Sequence, residues 1–173
     1  MGGTHEGAYL AFVQTRGSQL RRFAYLLCGD WQRAEDHTQE ALIRMYVKWK
    51  RIEPDGRFAY ARQCVTRLVI DESRRARSRE KPSLIADHPD PQADVSAETR
   101  WDLERALAQL PLKRRACVVL RYFDDLSVEE TAKVMGITQG TVKSQTFKAM
   151  AQLRELLSPE FLPASATTAG RPA

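Results

Sequence analysis

The sequence is poor in what metal, redox or covalent catalysis needs. Its three histidines, His5, His37 and His88, lie far apart with nothing ligand-like beside them. Its three cysteines, Cys28, Cys64 and Cys117, are isolated and odd in number. Neither set has metal-ligand spacing, and each cysteine sits in an apolar helical context, which fits buried free thiols in a reducing compartment. The carboxylates Asp36, Glu40 and Asp71 are spread over two helical segments rather than clustered as a Mg²⁺ site would require. No apolar run approaches the roughly 18 residues of a membrane span. The N-terminal residues form no charged-then-apolar leader, and Glu6 stands where a myristoylation signal has Ser or Thr, so neither export nor a lipid anchor is expected. Strand-period alternation is missing as well. Apolar residues recur at three- and four-residue steps, and the expected fold class is all-α.

The charge is present but segregated. The 173 residues carry a net +5, which suits a polyanionic partner. Residues 57–81 hold eight basic and three acidic side chains, whereas residues 82–104 hold one basic and six acidic. A basic surface followed by an acidic linker is the natural interpretation. Helical patterns cover residues 8–28, with Tyr9, Phe12, Leu20, Phe23 and Leu27 in one stripe, then 32–50 and 58–77. The intervening residues 51–57 contain Pro54 and Gly56 and are expected as a loop. Residues 1–80 form one expected helical domain, 81–96 a flexible acidic linker, 97–157 a second domain and 158–173 a disordered tail. In the second domain, Trp101, Leu103, Leu107, Ala116, Val119, Leu120, Phe123, Val142, Ala149, Met150, Leu153 and Leu156 are the expected core.

The most informative stretch is residues 126–150, LSVEETAKVMGITQGTVKSQTFKAM. Ser127 with Glu130 three residues on reads as a capping box, worth roughly 1 kcal/mol. Gly136 falls where a tight turn needs a left-handed residue, and Thr138 can cap a second helix beginning at Gln139. A helix, a short Gly-containing turn and a second helix make a helix-turn-helix. Residues 138–154 contain Lys143, Lys148 and Arg154 and no acid, while Thr141, Ser144 and Gln145 supply short polar groups. That mixture suits phosphates and base edges. Gly140 in the first turn costs about 1 kcal/mol against Ala. Close approach of the backbone to a phosphate would account for it.

These motifs, in this order, resemble the extracytoplasmic-function (ECF) sigma factors of bacterial RNA polymerase over about residues 8–157, in a style closest to actinobacterial members. The stretch LPLKRRACVVLRYFDDLSVEETAKVMGITQGTVKS is similar to sigma region 4, and AEDHTQEALIRMYVKW is similar to region 2.2. Asp36, Gln39, Glu40 and Trp49 match the region 2.2 pattern, while His37 stands where an apolar residue is usual. The third helix departs further. Tyr60 replaces a usual Trp, Gln63 an Arg and Arg67 an Asn, and Gln145 stands where an Arg commonly follows the Ser, so the recognised promoter sequence does not follow from the resemblance.

The resemblance implies three jobs. Asp36, Gln39, Glu40 and Arg44, extended by Lys48, would grip an Arg-rich helical surface on the largest (β′) polymerase subunit, with the β subunit as a further partner. The loop at 53–57 with Phe58, Tyr60, Arg62, Gln63, Thr66, Arg67, Arg74, Arg75 and Arg77 would capture the minus-ten promoter element as a single strand. Core packing competes with base stacking as the role of Phe58 and Tyr60. Arg121, Gln139, Gly140, Thr141, Lys143, Ser144, Phe147 and Lys148 would contact the minus-thirty-five element as duplex. For Phe147, packing on the preceding helix competes with base contact, and for Arg121 an ion pair with Asp124 or Asp125 competes with phosphate. The implied partners are core RNA polymerase, promoter DNA and an anti-sigma factor. No cofactor, enzymatic activity or membrane insertion is expected, and the expected location is the cytoplasm. The competing interpretations are a stand-alone helix-turn-helix regulator and, more remotely, a DNA recombinase or nuclease.

Overall fold

The computed structural model describes residues 3–78 and 97–157. The expected flexible linker and disordered tail, together with the side chains of Arg77 and Trp101, lie outside the described residues. Seven α-helices account for most of the described chain, and no strand occurs among the described residues. The chain divides into two compact units between His88 and Pro89.

The first unit is a three-helix bundle. Helix α1 spans Gly3–Cys28, longer at its start than periodicity suggests, and stops at Gly29, whose φ of 73° only glycine adopts freely. Asp30 then caps α2 (Trp31–Lys48) by accepting from the Arg33 amide at 2.8 Å. A 3₁₀ turn at Trp49–Arg51 replaces the end of the helix expected to residue 50, and another at Pro54–Gly56 falls within the expected loop. Helix α3 follows at Arg57–Ser78. Each of the three helices packs on the other two. Their shared core holds Leu20, Phe23 and Leu27 from α1, Ala34, Ala41 and Met45 from α2, and Ala61, Val65 and Val69 from α3, with Trp49 closing one end.

The second unit is built on α7. Helix α4 (Ala97–Gln109), α5 (Leu112–Val118) and α6 (Val128–Met135) all pack against α7 (Gln139–Leu156). Pro111 sits at the N-cap of α5, and Arg115 on the first turns of that helix donates to the carbonyls of Ala108 and Leu110, satisfying the exposed end of α4. The core contains Leu107, Leu110, Cys117, Val119, Leu120, Val142, Ala149, Met150 and Leu153.

Two expected core residues are exposed instead. Helix α5 runs into a π-helical turn at Val119–Phe123, where the Asp124 amide bonds the Val119 carbonyl five residues back. The wider turn breaks the 3.6-residue register, so Phe123 emerges 45% exposed. At the end of α7 the backbone leaves the helix at Leu157, which is buried in place of the exposed Leu156.

Candidate functional site

The helix-turn-helix has the geometry its residues dictate. Ser127 Oγ accepts from the Glu130 amide at 3.1 Å, and Glu130 Oε2 accepts from the Ser127 amide at 2.7 Å. Hydrogen bonding from the Ser127 amide, and then from its side chain, to the ionised form holds the Glu130 carboxyl below the usual range. Gly136 ends α6 at φ 65°, and its amide reaches back to the Ala132 carbonyl. Thr138 Oγ1 accepts from the Thr141 amide at 3.1 Å and is 2.8 Å from Thr141 Oγ1. Thr141 is therefore engaged in the cap as well as half-exposed beyond it.

Helix α7 buries Val142, Ala149, Met150 and Leu153. The 3.6-residue period then turns Gln139, Gly140, Lys143, Ser144, Phe147 and Lys148 outward, and all six are exposed. Phe147 is 62% exposed, so packing on the preceding helix is not its role in this structure. Arg121 forms no ion pair with Asp124 or Asp125. Its guanidinium donates to the Leu126 carbonyl and secures the turn that leads into α6. That turn also contains Asp125 at φ 52°, a left-handed conformation that Asp tolerates better than most side chains.

In the first unit, α2 presents Asp36, Gln39, Glu40 and Arg44 on its outer side. Arg44 Nε lies 2.7 Å from Glu40 Oε1, and Gln39 Nε2 donates to Glu35 Oε1 at 3.0 Å. The same helical face continues into apolar side chains that composition alone does not flag. Ile43 is 60% exposed and Val47 79%, one and two turns on from Glu40. Tyr46 is exposed beside them. The spacing 36, 40, 43, 47 is the signal that would have found them.

The orientation of that face is set from behind. His37, in the apolar position of the motif, is buried, and its Nε2 lies 2.9 Å from Glu72 Oε2 on α3. Arg33 donates to the same oxygen at 2.6 Å through Nη2 and 3.2 Å through Nε. Burial works to raise the Glu72 carboxyl, but the hydrogen bonds and charge of Arg33, joined by His37, outweigh it and hold the group below the ordinary range. Burial pushes the thiol of the neighbouring Cys28 up to about 11, and that of Cys117 in the second unit likewise up to about 11.

The start of α3 gathers rings and cations. Trp49 meets Tyr9 and Phe12 edge-on at centroid distances of 5.3 and 5.6 Å, and Phe12 lies 6.5 Å from Phe58. Arg57 Cζ stands 3.7 Å from the Trp49 ring centre, Arg62 Cζ 4.6 Å from that of Phe58, and Lys48 Nζ 5.9 Å from that of Tyr60. Phe58 is half-buried with its ring already engaged, which favours its packing role over base stacking. Tyr60 is also half-buried. Lys48 leans toward Tyr60 rather than prolonging the acidic face.

Gln63 is half-exposed and Arg67, Arg74 and Arg75 are exposed, with Arg74 Nη1 3.7 Å from Asp71 Oδ1. Thr66 requires a correction. It is fully buried, and its hydroxyl donates to the Arg62 carbonyl at 2.9 Å, so it packs the bundle and cannot face DNA. Among the described residues no group of three or more metal-ligating side chains converges. No helix among them is long and apolar enough to cross a membrane.

The sequence matches two family models, "Sigma-70 region 2" over residues 12–79 and "Sigma-70, region 4" over residues 100–153. It is 38% identical over 160 residues to an RNA polymerase sigma-E factor of Streptomyces avermitilis, covering 90% of this chain and 88% of that protein. The corresponding protein of Streptomyces coelicolor is 37% identical over 158 residues, covering 90% and 89%. An ECF RNA polymerase sigma factor of Mycobacterium tuberculosis, SigM, is 30% identical over 140 residues, covering 80% and 71%. Among solved structures, the sigma factor RpoE of Bartonella quintana, crystallised with the anti-sigma factor NepR, superposes with a TM-score of 0.68 at 24% identity. That match covers 86% of this chain and 95% of that one, and shows the shared fold.

Proposed function

The chain belongs to the sigma-70 family of RNA polymerase sigma factors, in its extracytoplasmic-function branch, and from that premise we propose how its surfaces divide the work of initiation. A sigma factor binds core polymerase and directs it to promoters, and its role is regulatory. The first unit, about residues 1–80, binds core polymerase and captures the melted minus-ten strand. The second, about residues 97–157, reads the minus-thirty-five duplex, and the segment between them tethers the two.

The observation that carries this division is the outward face of α7. Six exposed residues at helical spacing, two of them lysines and none acidic, follow a fully capped turn. Such a face fits a major groove, with Lys143 reaching guanine or phosphate and Phe147 lying on a thymine methyl. Gln139, Gly140, Thr141, Ser144 and Lys148 complete it. Arg121 fixes the turn through one donor and contacts a phosphate beside it with the rest of its guanidinium.

On the first unit, Asp36, Gln39 and Glu40 meet guanidinium groups of the largest subunit, and Ile43 and Val47 add the apolar centre that a stable interface needs. Arg44 orients Glu40. Gln63, Arg67, Arg74 and Arg75 line the strand-capture side with Tyr60 and Arg62. An anti-sigma factor is the further proposed partner, and it would work by covering these same surfaces. The location is the cytoplasm, where the polymerase is.

Run-off transcription with purified core polymerase, mapping start sites over a genomic library, tests the assignment. Start sites sharing two spaced elements are expected. A chain that neither joins core enzyme nor confers site-selective synthesis overturns it. Specific footprinting of duplex by the chain alone, without polymerase, points instead to a stand-alone regulator.

A further inference from the structure

Helix α1 has no DNA-binding assignment in the sequence pattern, yet it delivers a guanidinium to the start of α3. Arg16 is exposed, its Cζ lies 5.4 Å from the Phe58 ring centre, and its Nη1 donates to Gln19 Oε1 at 3.0 Å. Arg62 approaches the same ring at 4.6 Å, and Arg57 covers Trp49 close by. Phe12 touches both rings and joins the group into one aromatic base.

Four other cations of the unit have carboxylate partners instead. Arg21 pairs with Glu35, Arg33 with Glu72, Arg44 with Glu40 and Arg74 with Asp71. A carboxylate neutralises its partner and occupies its donors. An aromatic ring attracts a cation through its quadrupole and leaves both charge and N–H donors available. Among the described residues, Arg16 has a ring and one amide oxygen as its contacts. Two guanidiniums on one ring also repel each other, so an anion arriving between them relieves that repulsion. The ring surface is rigid and positions the charge before any ligand arrives.

We propose that Arg16 binds a backbone phosphate of the single-stranded minus-ten promoter DNA, making α1 a third element of the strand-capture surface beside the 53–57 loop and α3. Arg57 shares that anionic strand, held in place over Trp49. The inference rests on the reading that this end of the first unit captures the melted strand.

The test uses holoenzyme reconstituted from the full chain and core polymerase. Three labelled probes are compared: a promoter with an unpaired minus-ten bubble, the same promoter fully paired, and a duplex carrying the minus-thirty-five element alone. Wild-type holoenzyme should prefer the bubble. Arg16→Gln should weaken bubble binding roughly three- to tenfold, the weight of one solvent-exposed hydrogen-bonded contact. It should also reduce the slope of log K against log salt by about 0.7, the release expected for one single-strand phosphate. Arg16→Lys should keep the slope. Core binding, thermal midpoint and minus-thirty-five duplex binding should match wild type for both variants. If wild-type holoenzyme shows no bubble preference, the strand-capture reading itself fails. If wild type prefers the bubble and Arg16→Gln binds it with unchanged affinity and slope, or loses equally on the minus-thirty-five probe, the assignment of Arg16 fails and the parent reading stands.

Discussion

Gly140 occupies the first turn of α7 without any intramolecular need for glycine. A Cβ there would find Thr138 Oγ1 at 3.9 Å as its nearest neighbour, an ordinary contact, so the space is open within the protein. Gly140→Ala should therefore stabilise the second unit by up to about 1 kcal/mol through helix propensity. It should weaken holoenzyme binding to minus-thirty-five duplex if backbone meets phosphate there, and equal or tighter binding would reject that contact. Glu72 gives a pH prediction of definite sign. Its folded carboxyl titrates below the ordinary 4.5, so the unfolded state takes up protons first. Its contribution is complete above about pH 4.5 and is lost as the pH falls through the lower folded value. In acid titrations of stability, Glu72→Gln should be less stable than wild type at neutral pH, with the gap narrowing below that point. A constant gap would mean that packing, not ionisation, matters. At this scale much was legible. The capping box, Gly136 and the Thr138 cap are contiguous signals, and their geometry follows from local chemistry. Thr66 misled because a threonine hydroxyl can satisfy itself on the preceding helical turn and then behave as an apolar residue. Glu72 could not be foreseen, since its partners lie 35 and 39 positions away.

Among the elements, α2 joins opposite chemistries along one face. Its acids can steer a basic partner electrostatically, while Ile43 and Val47 supply the apolar area that holds it. Val47→Asp should reduce core-polymerase affinity at least as much as Asp36→Ala, and high salt should weaken binding of the Val47→Asp protein as it does the wild type. Holoenzyme assembly followed by fluorescence anisotropy would measure both, and full core affinity in Val47→Asp would remove the apolar strip from the interface. The helix boundaries of α2, α3 and α7 were readable because their periods are long and their stops are Gly, Pro or a capping side chain. The π turn after α5 was not. Nothing in VLRYF marks a carbonyl bonded five residues ahead, and Phe123 moved out of the core as a result. The 3₁₀ turns around Pro54 were readable only as irregular chain, because proline and glycine say where a helix stops but not which tight turn replaces it.

For the whole molecule, two units with separate cores predict separable melting. Calorimetry should show the chain departing from a single two-state transition. Trp49→Ala, which empties the space under Tyr9, Phe12 and Arg57, should destabilise one transition by roughly 3–5 kcal/mol and leave the other in place. Leu153→Ala should do the reverse. A single transition lowered by either change would show the units to be thermodynamically one. The double grip of Arg33 and His37 on one Glu72 oxygen bears on assembly. These side chains stand one turn apart on α2, so together they resist both rolling and sliding of that rod. On the proposed reading, an edge keyed in this way would meet the polymerase already aimed, and loosening the key should shorten the lifetime of the assembled enzyme before it alters any surface that the polymerase touches.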